Sequence, residues 1–76
     1  MSQKTIGETR VRADFNVSGS SIVDEIKQKS ADLINVCEGL KPTDGAMISG
    51  EKARLISLAQ TSFEEAAMWA VKAATF

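Results

Sequence analysis

The sequence predicts an all-α fold, an antiparallel helical hairpin that assembles into a compact homo-oligomer. Two segments, about residues 20–38 and about residues 50–75, have the three- and four-residue apolar spacing of helices. The chain has 76 residues, one cysteine and no histidine, which excludes an intrachain disulfide and a zinc site. A single domain of this size, residues 1–76, has a marginal core, and association with other copies is the remaining source of stability.

Residues 1–19 are predicted to form an irregular N-terminal arm. The arm ends in the turn-prone run Asn16-Val17-Ser18-Gly19. Phe15 precedes this turn and has two interpretations, a hydrophobic staple against the following helix or a ring that stacks on a ligand base. The residues by themselves favour the staple.

The segment 20–38 has a helix start, an apolar face and a helix end. Ser20 or Ser21 can cap it, and Ser21 with Asp24 resembles a capping box. Gly39 is a stop signal. The predicted apolar stripe comprises Ile22, Ile26, Leu33 and Cys37, joined by Val23 and Ile34. Cys37 is therefore predicted to be a small buried residue rather than a nucleophile.

The second helix is predicted to begin near Ser49 or Gly50, after a connector that contains Pro42. It is apolar nearly all round. One stripe is Leu55, Ala59, Ser62, Ala66, Trp69 and Ala73, and the neighbouring stripe is Ile56, Phe63, Ala67, Ala70 and Ala74. One partner helix cannot cover both stripes, which predicts packing against other copies, with Trp69 in the core.

The composition excludes several functional classes. Without histidine there is no Ser-His-Asp or Cys-His nucleophile pair, and no GxxxxGK[ST] or GxGxxG motif is present. A net charge of −1 argues against binding to nucleic acid polymers. No apolar run approaches the roughly 18 residues of a membrane span, and the N-terminus lacks a signal-peptide centre. The expectations are a cytoplasmic protein that binds no membrane, needs no cofactor or metal, and is not an enzyme.

Two sets of polar residues are candidates for ligand binding. Arg54, Ser57 and Thr61 fall on one helix face, where the guanidinium can bind a phosphate and the hydroxyls can donate. The alternative is a solvated face with Arg54 paired to Glu51. Lys27 and Lys29 lie about 200° apart around the first predicted helix, so they cannot serve one pocket equally. Their alternative role is a solubilising surface.

The stretch from Glu51 to Phe76, EKARLISLAQTSFEEAAMWAVKAATF, resembles a family of small phage-encoded hairpin proteins. Its members show an arginine, a Leu-Ala pair, a threonine and then Leu-Glu-Glu-Ala-x-Met-Trp-Ala. The matching positions here are Arg54, Leu58-Ala59, Thr61 and the run from Phe63 to Ala70. The family includes the anti-CBASS cyclic-nucleotide sponges and the Thoeris antagonists, which sponge cyclic ADP-ribose signals.

The resemblance implies a homohexamer that binds cyclic oligonucleotides between subunits, without hydrolysis, in the cytoplasm of an infected bacterial host. For cyclic dinucleotides it implies Phe15 and either Lys27 or Lys29, although family members commonly have tyrosine at the aromatic position. For cyclic trinucleotides it implies Arg54 and Thr61, with Ser57 on the same face. Two alternatives stay open, a sponge for cyclic ADP-ribose isomers and an oligomeric adaptor that binds a protein through its N-terminal arm.

Overall fold

Three helices form the part of the chain that the structure describes. This computed structural model describes residues 3–14, 19–42 and 47–76. Helix α1 spans Ile6–Val11, α2 spans Ser21–Glu38 and α3 spans Gly50–Ala74. The bounds of α2 and α3 confirm the two predicted helices to within one residue. Phe15, with its proposed staple, lies outside the described residues.

The N-terminal arm is not irregular throughout, because residues 6–11 form α1. Its N-terminus carries a capping box, in which the Glu8 N–H donates to Thr5 Oγ1 at 3.1 Å. The Thr5 N–H donates in turn to Glu8 Oε1 at 2.9 Å. A helix of six residues is not stable by itself, so α1 must be held by packing. The Thr-x-x-Glu spacing is the sequence signal that could have predicted it.

A very close approach of two backbones holds α1 on α2. A Cβ atom added to Gly7 would lie 2.0 Å from the carbonyl oxygen of Ala31, so only glycine fits there. The Gly7 N–H donates to Asn35 Oδ1 at 2.8 Å, and Asn35 Nδ2 donates to Thr5 Oγ1 at 2.9 Å. These contacts fix the position of α1 along α2.

Helices α2 and α3 pack antiparallel, as the hairpin prediction requires. Gln60 near the middle of α3 contacts the end of α2, while Ala67 packs with Ala31 one helical turn earlier in α2. The Gln60 side chain, 3% exposed, donates from Nε2 to the Ile34 carbonyl at 3.2 Å and to Glu38 Oε1 at 3.0 Å. A buried amide satisfied by two partners on the facing helix fixes the register of the hairpin.

The buried face of α2 is rotated from the predicted stripe. The residues that it buries are Val23, Lys27, Ala31, Ile34 and Cys37. Burial of Cys37 is therefore confirmed, but Ile22 and Leu33 are about half exposed. The predicted face differs from the observed one because the prediction used apolar side chains alone, whereas the observed buried face includes Lys27.

The ends of the two long helices differ in detail from the sequence-based expectation. Ser20 is the N-cap of α2, but its side chain makes no capping hydrogen bond. Gly39 follows α2 with a right-handed φ of −66° and does not form a left-handed stop. Helix α3 begins at Gly50, as predicted, and Ser49 is its N-cap, with an Oγ that accepts from the Lys52 N–H at 3.1 Å.

Only one of the two apolar stripes of α3 packs on α2. Ile56 and Ala67 are buried, and both belong to the stripe that contains Phe63. The stripe of Leu55 and Trp69 faces outward, and the Trp69 side chain is 55% exposed. Trp69 is therefore not part of the core of a single chain, and its burial between copies stays a prediction. The expectation that one partner helix cannot cover α3 is confirmed.

Candidate functional site

A cleft of about 410 Å³ lies where α1 crosses the α2–α3 hairpin. Its volume is within the range of small-molecule sites, about 300–1,000 Å³. The lining contains three cations (Arg10, Arg12, Lys27), a hydroxyl (Thr61), two carboxylates (Glu64, Glu65) and four apolar side chains (Val11, Ala67, Met68, Val71). Such a lining can contact a ligand that has both anionic and apolar groups.

Lys27 is the cleft residue that α2 contributes. It is only 8% exposed, and its Nζ donates to the carbonyl oxygen of Arg12 at 3.1 Å. Arg12 caps the C-terminus of α1 in the left-handed conformation, with φ 56°. That conformation costs an ordinary residue about 1–2 kcal/mol, and the Lys27 hydrogen bond helps to stabilise it. A solubilising role is therefore wrong for Lys27.

Arg10 links α1 to α3 across the cleft. Its Nε donates to Glu64 Oε1 at 2.7 Å, and its Nη2 donates to Thr61 Oγ1 at 3.3 Å. The Arg10 side chain is 26% exposed. Sequence reasoning missed Arg10 because its partners lie more than 50 residues away and α1 was not predicted. The Thr5-x-x-Glu8 capping box is the signal that would have placed it on a helix.

Lys29 does not line the cleft. Its Nζ lies 2.7 Å from Glu25 Oε2, one helical turn earlier on the exposed side of α2. The hydrogen bond between them lowers the pKa of Glu25 and raises the pKa of Lys29. The solubilising interpretation therefore describes Lys29, and the structure brings Lys27 alone of the two lysines to the cleft.

The three candidate residues on α3 are not brought to one pocket within a chain. Thr61 lines the cleft, whereas Arg54 and Ser57 are exposed outside it. The Arg54 guanidinium binds Glu51, with Nη2 at 2.6 Å and Nε at 3.0 Å from Oε1. Arg54 and Thr61 are seven residues apart, about 10 Å along the helix. In the single chain, Arg54 has the carboxylate partner that the alternative interpretation assigned to it.

A model of the family described as the Acb2/Tad1 hairpin domain matches residues 6–75. The chain belongs to this family. The match confirms the resemblance seen in the run from Glu51 to Phe76. No curated protein and no solved structure matches the chain.

Acb2/Tad1 hairpin proteins are anti-CBASS and Thoeris antagonist sponges, which sequester signal molecules and are not known as enzymes. Membership is consistent with binding of cyclic nucleotides. Across residues 3–14, 19–42 and 47–76, no helix has both the length and the apolarity to cross a bilayer. Nor does any group of three or more potential metal ligands occur within those ranges.

Proposed function

We propose that the protein captures cyclic di- and trinucleotide second messengers without hydrolysing them, and so blocks CBASS immune signalling in an infected bacterium. The observation that carries the proposal is the cleft, where Arg10, Arg12 and Lys27 lie beside an apolar wall. Cationic side chains can bind phosphodiester groups, and the apolar wall can receive the bases. Capture by a sponge requires only affinity near the working concentration of the signal.

Lys27 is the better proposed phosphate ligand of the two lysines. Its buried stem leaves the ammonium group with few alternative positions, so binding costs it little further side-chain entropy. Phe15 remains the proposed stacking residue for a base. Lys29, bound to Glu25 outside the cleft, is a weaker candidate.

The proposed assembly is a homohexamer. The outward face of α3 supports self-association, because Leu55, Leu58 and Trp69 are each at least half exposed there. Soluble monomers rarely expose a large apolar surface. A dimer axis would also present two copies of each cationic side chain, which suits the near two-fold symmetry of a cyclic dinucleotide.

For cyclic trinucleotides we propose a second site at a three-fold position. Three copies of Arg54, with Ser57 and Thr61 on the same helix, would supply one guanidinium for each phosphate. Each Arg54 would then exchange its Glu51 partner for a phosphate. Both groups are exposed, so their ion pair in the single chain opposes this exchange only weakly.

A sponge for cyclic ADP-ribose isomers is the second candidate function. The family model spans both kinds of antagonist, and the cationic cleft also suits two adjacent phosphoryl groups. The adaptor alternative has less support, because the Gly7 contact and the two Asn35 hydrogen bonds tie α1 and its N-cap Thr5 to α2.

Native mass spectrometry with a mixed panel of ligands tests the proposal. The panel contains cyclic dinucleotides, cyclic trinucleotides and cyclic ADP-ribose isomers. We expect a hexamer that gains cyclic di- and trinucleotides and releases them intact on denaturation. Hydrolysed product would contradict capture, and a gain of cyclic ADP-ribose alone would select the second candidate. A multimer that binds none of these ligands would favour the adaptor function.

Replacement of Lys27 by methionine tests the dinucleotide cleft. Lys27→Met keeps an apolar stem and removes the charge, so affinity for a cyclic dinucleotide should fall by at least about tenfold, the effect of one charged hydrogen bond. The matched control, Lys29→Met, removes the same charge outside the cleft and should change affinity by less than about twofold. Isothermal titration calorimetry measures both variants. If both variants lost the same amount of affinity, the ligand would not bind in the cleft.

A further inference from the structure

The Arg10 guanidinium already holds an anionic group inside the cleft. Its Nε lies 2.7 Å from Glu64 Oε1, a short hydrogen bond between two charged groups. The fork of donors that binds a carboxylate is the same fork that binds a phosphate. Glu64 accepts from the Nε donor of this fork. An anionic ligand that binds the same donor must therefore compete with the Glu64 carboxylate.

We infer that Glu64 is a built-in competitor of the ligand at Arg10, and that capture exchanges this carboxylate for a ligand phosphate. The inference rests on the proposed function for the identity of the ligand. It adds Arg10 to the proposed phosphate-binding residues, and it assigns Glu64 the role of setting which anions can enter.

The contacts around the pair favour this exchange. The Glu64 side chain is 45% exposed, so it can turn to solvent when a phosphate arrives. Arg10 lies on α1, which Gly7 and Asn35 hold in place on α2. The Thr61 hydroxyl lies 3.3 Å from the Arg10 guanidinium and can keep it aimed into the cleft. The carboxylate can therefore leave while the guanidinium stays.

The exchange has a consequence for selectivity. A partly exposed ion pair is weak, so an anion with several strong acceptor oxygens can displace Glu64. A monocarboxylate would make the same kind of hydrogen bond to Arg10 that Glu64 already makes, so it gains no advantage over Glu64. Competition by Glu64 therefore disfavours binding of abundant monocarboxylate metabolites relative to ligands that carry phosphate groups.

Glu65 provides a matched control for the charge of the cleft. It also lines the cleft, but its Oε1 accepts from Trp69 Nε1 at 3.4 Å, and in the described part of the chain the ion pair of Arg10 is with Glu64. Glu64→Gln and Glu65→Gln each remove one negative charge and keep the side-chain size. Only Glu64→Gln removes the carboxylate that Arg10 binds.

The experiment measures binding of inorganic pyrophosphate and of cyclic di-AMP by isothermal titration calorimetry at one fixed salt concentration. It compares the wild type with Glu64→Gln, Glu65→Gln, Arg10→Gln and the double variant Arg10→Gln/Glu64→Gln. We expect Glu64→Gln to tighten both ligands by about three- to tenfold, a coupling of ordinary size, and Glu65→Gln by less than about twofold. The gain in affinity from Glu64→Gln should vanish in the double variant, in which Arg10 is replaced. Circular dichroism melts check that each variant is folded.

Three results would overturn the inference. One is an equal gain in affinity for Glu64→Gln and Glu65→Gln, which would mean that only the net charge of the cleft matters. Another is a gain that persists in the Arg10→Gln background. The third is a wild type that binds cyclic di-AMP while Glu64→Gln binds it no more tightly, in which case Glu64 is not a competitor but the proposed sponge function is supported. If pyrophosphate binds with the expected gain in affinity but cyclic di-AMP does not bind, the inference about Glu64 is supported and the proposed capture of this dinucleotide is wrong.

Discussion

Replacement of Gly7 by alanine tests the contact that holds α1 in place. The added Cβ would lie 2.0 Å from the Ala31 carbonyl oxygen, whereas ordinary contact begins at 3.4 Å. The obstructing atom belongs to the backbone in the middle of α2, so it cannot rotate away as a side chain could. Helix α1 must therefore retreat from α2.

The magnitude follows from the interactions that the retreat weakens. The Gly7–Asn35 hydrogen bond contributes about 0.5–1.5 kcal/mol, and full burial of Val11 contributes about 1.5–3 kcal/mol. Alanine returns up to about 1 kcal/mol through its better helix propensity. We therefore expect the free energy of unfolding to fall by about 1–3 kcal/mol.

Urea unfolding followed by circular dichroism, at one fixed protein concentration, measures this change. Hydrogen exchange should show lower protection in residues 6–11, and ligand affinity should fall because α1 carries Arg10. The control is Gly50→Ala, where no atom lies within 4 Å of the added Cβ and stability should not fall. A Gly7→Ala protein with unchanged stability and unchanged protection of α1 would refute the close approach.

Three further predictions concern the assembly, the second site and the response to acid. Trp69→Ala should lower the oligomer mass in sedimentation velocity, with a loss of up to about 3–5 kcal/mol per buried site, and normal assembly would refute the outward-face interface. Arg54→Gln should weaken cyclic trinucleotides more than cyclic dinucleotides in calorimetry, and equal weakening would count against a separate site. The hydrogen bonds from Gln60 and Lys41 lower the pKa of Glu38 below 4.5. Its contribution to stability is therefore present above pH 4.5 and lost as the pH falls through the lower folded value. Glu38→Gln should flatten the decline of stability below pH 4.5, and an unchanged acid profile in urea titrations would contradict this.

Much of the hairpin was predictable from local patterns. Ser49 marks the start of α3, and the three- and four-residue apolar spacing marks both long helices. The faces were harder to predict, because burial of Lys27 and exposure of Trp69 depend on what packs against them. Apolar spacing shows that a helix has a buried face, but several rotations fit equally well when α3 is apolar on every side.

The candidate site was predictable only in part. Lys27 and Thr61 were candidates from the sequence, and both line the cleft. Arg10 and Glu64 were not predicted as a pair, since 54 residues separate them. A charge pattern read along the chain finds partners three or four residues apart on one helix, as with Arg54 and Glu51. It cannot find a pair that forms only when α1 crosses α3.

The sequence by itself determined the two long helices, the hairpin and the family, because these depend on local spacing and on the motif from Phe63 to Ala70. Only the tertiary structure decided that residues 6–11 form a helix and that this helix closes one side of a cationic cleft. The physical reason is that the hydrogen bonds of a six-residue helix do not offset the unfavourable free energy of helix nucleation in isolation. They become helical where Gly7 lets their backbone rest directly on that of Ala31.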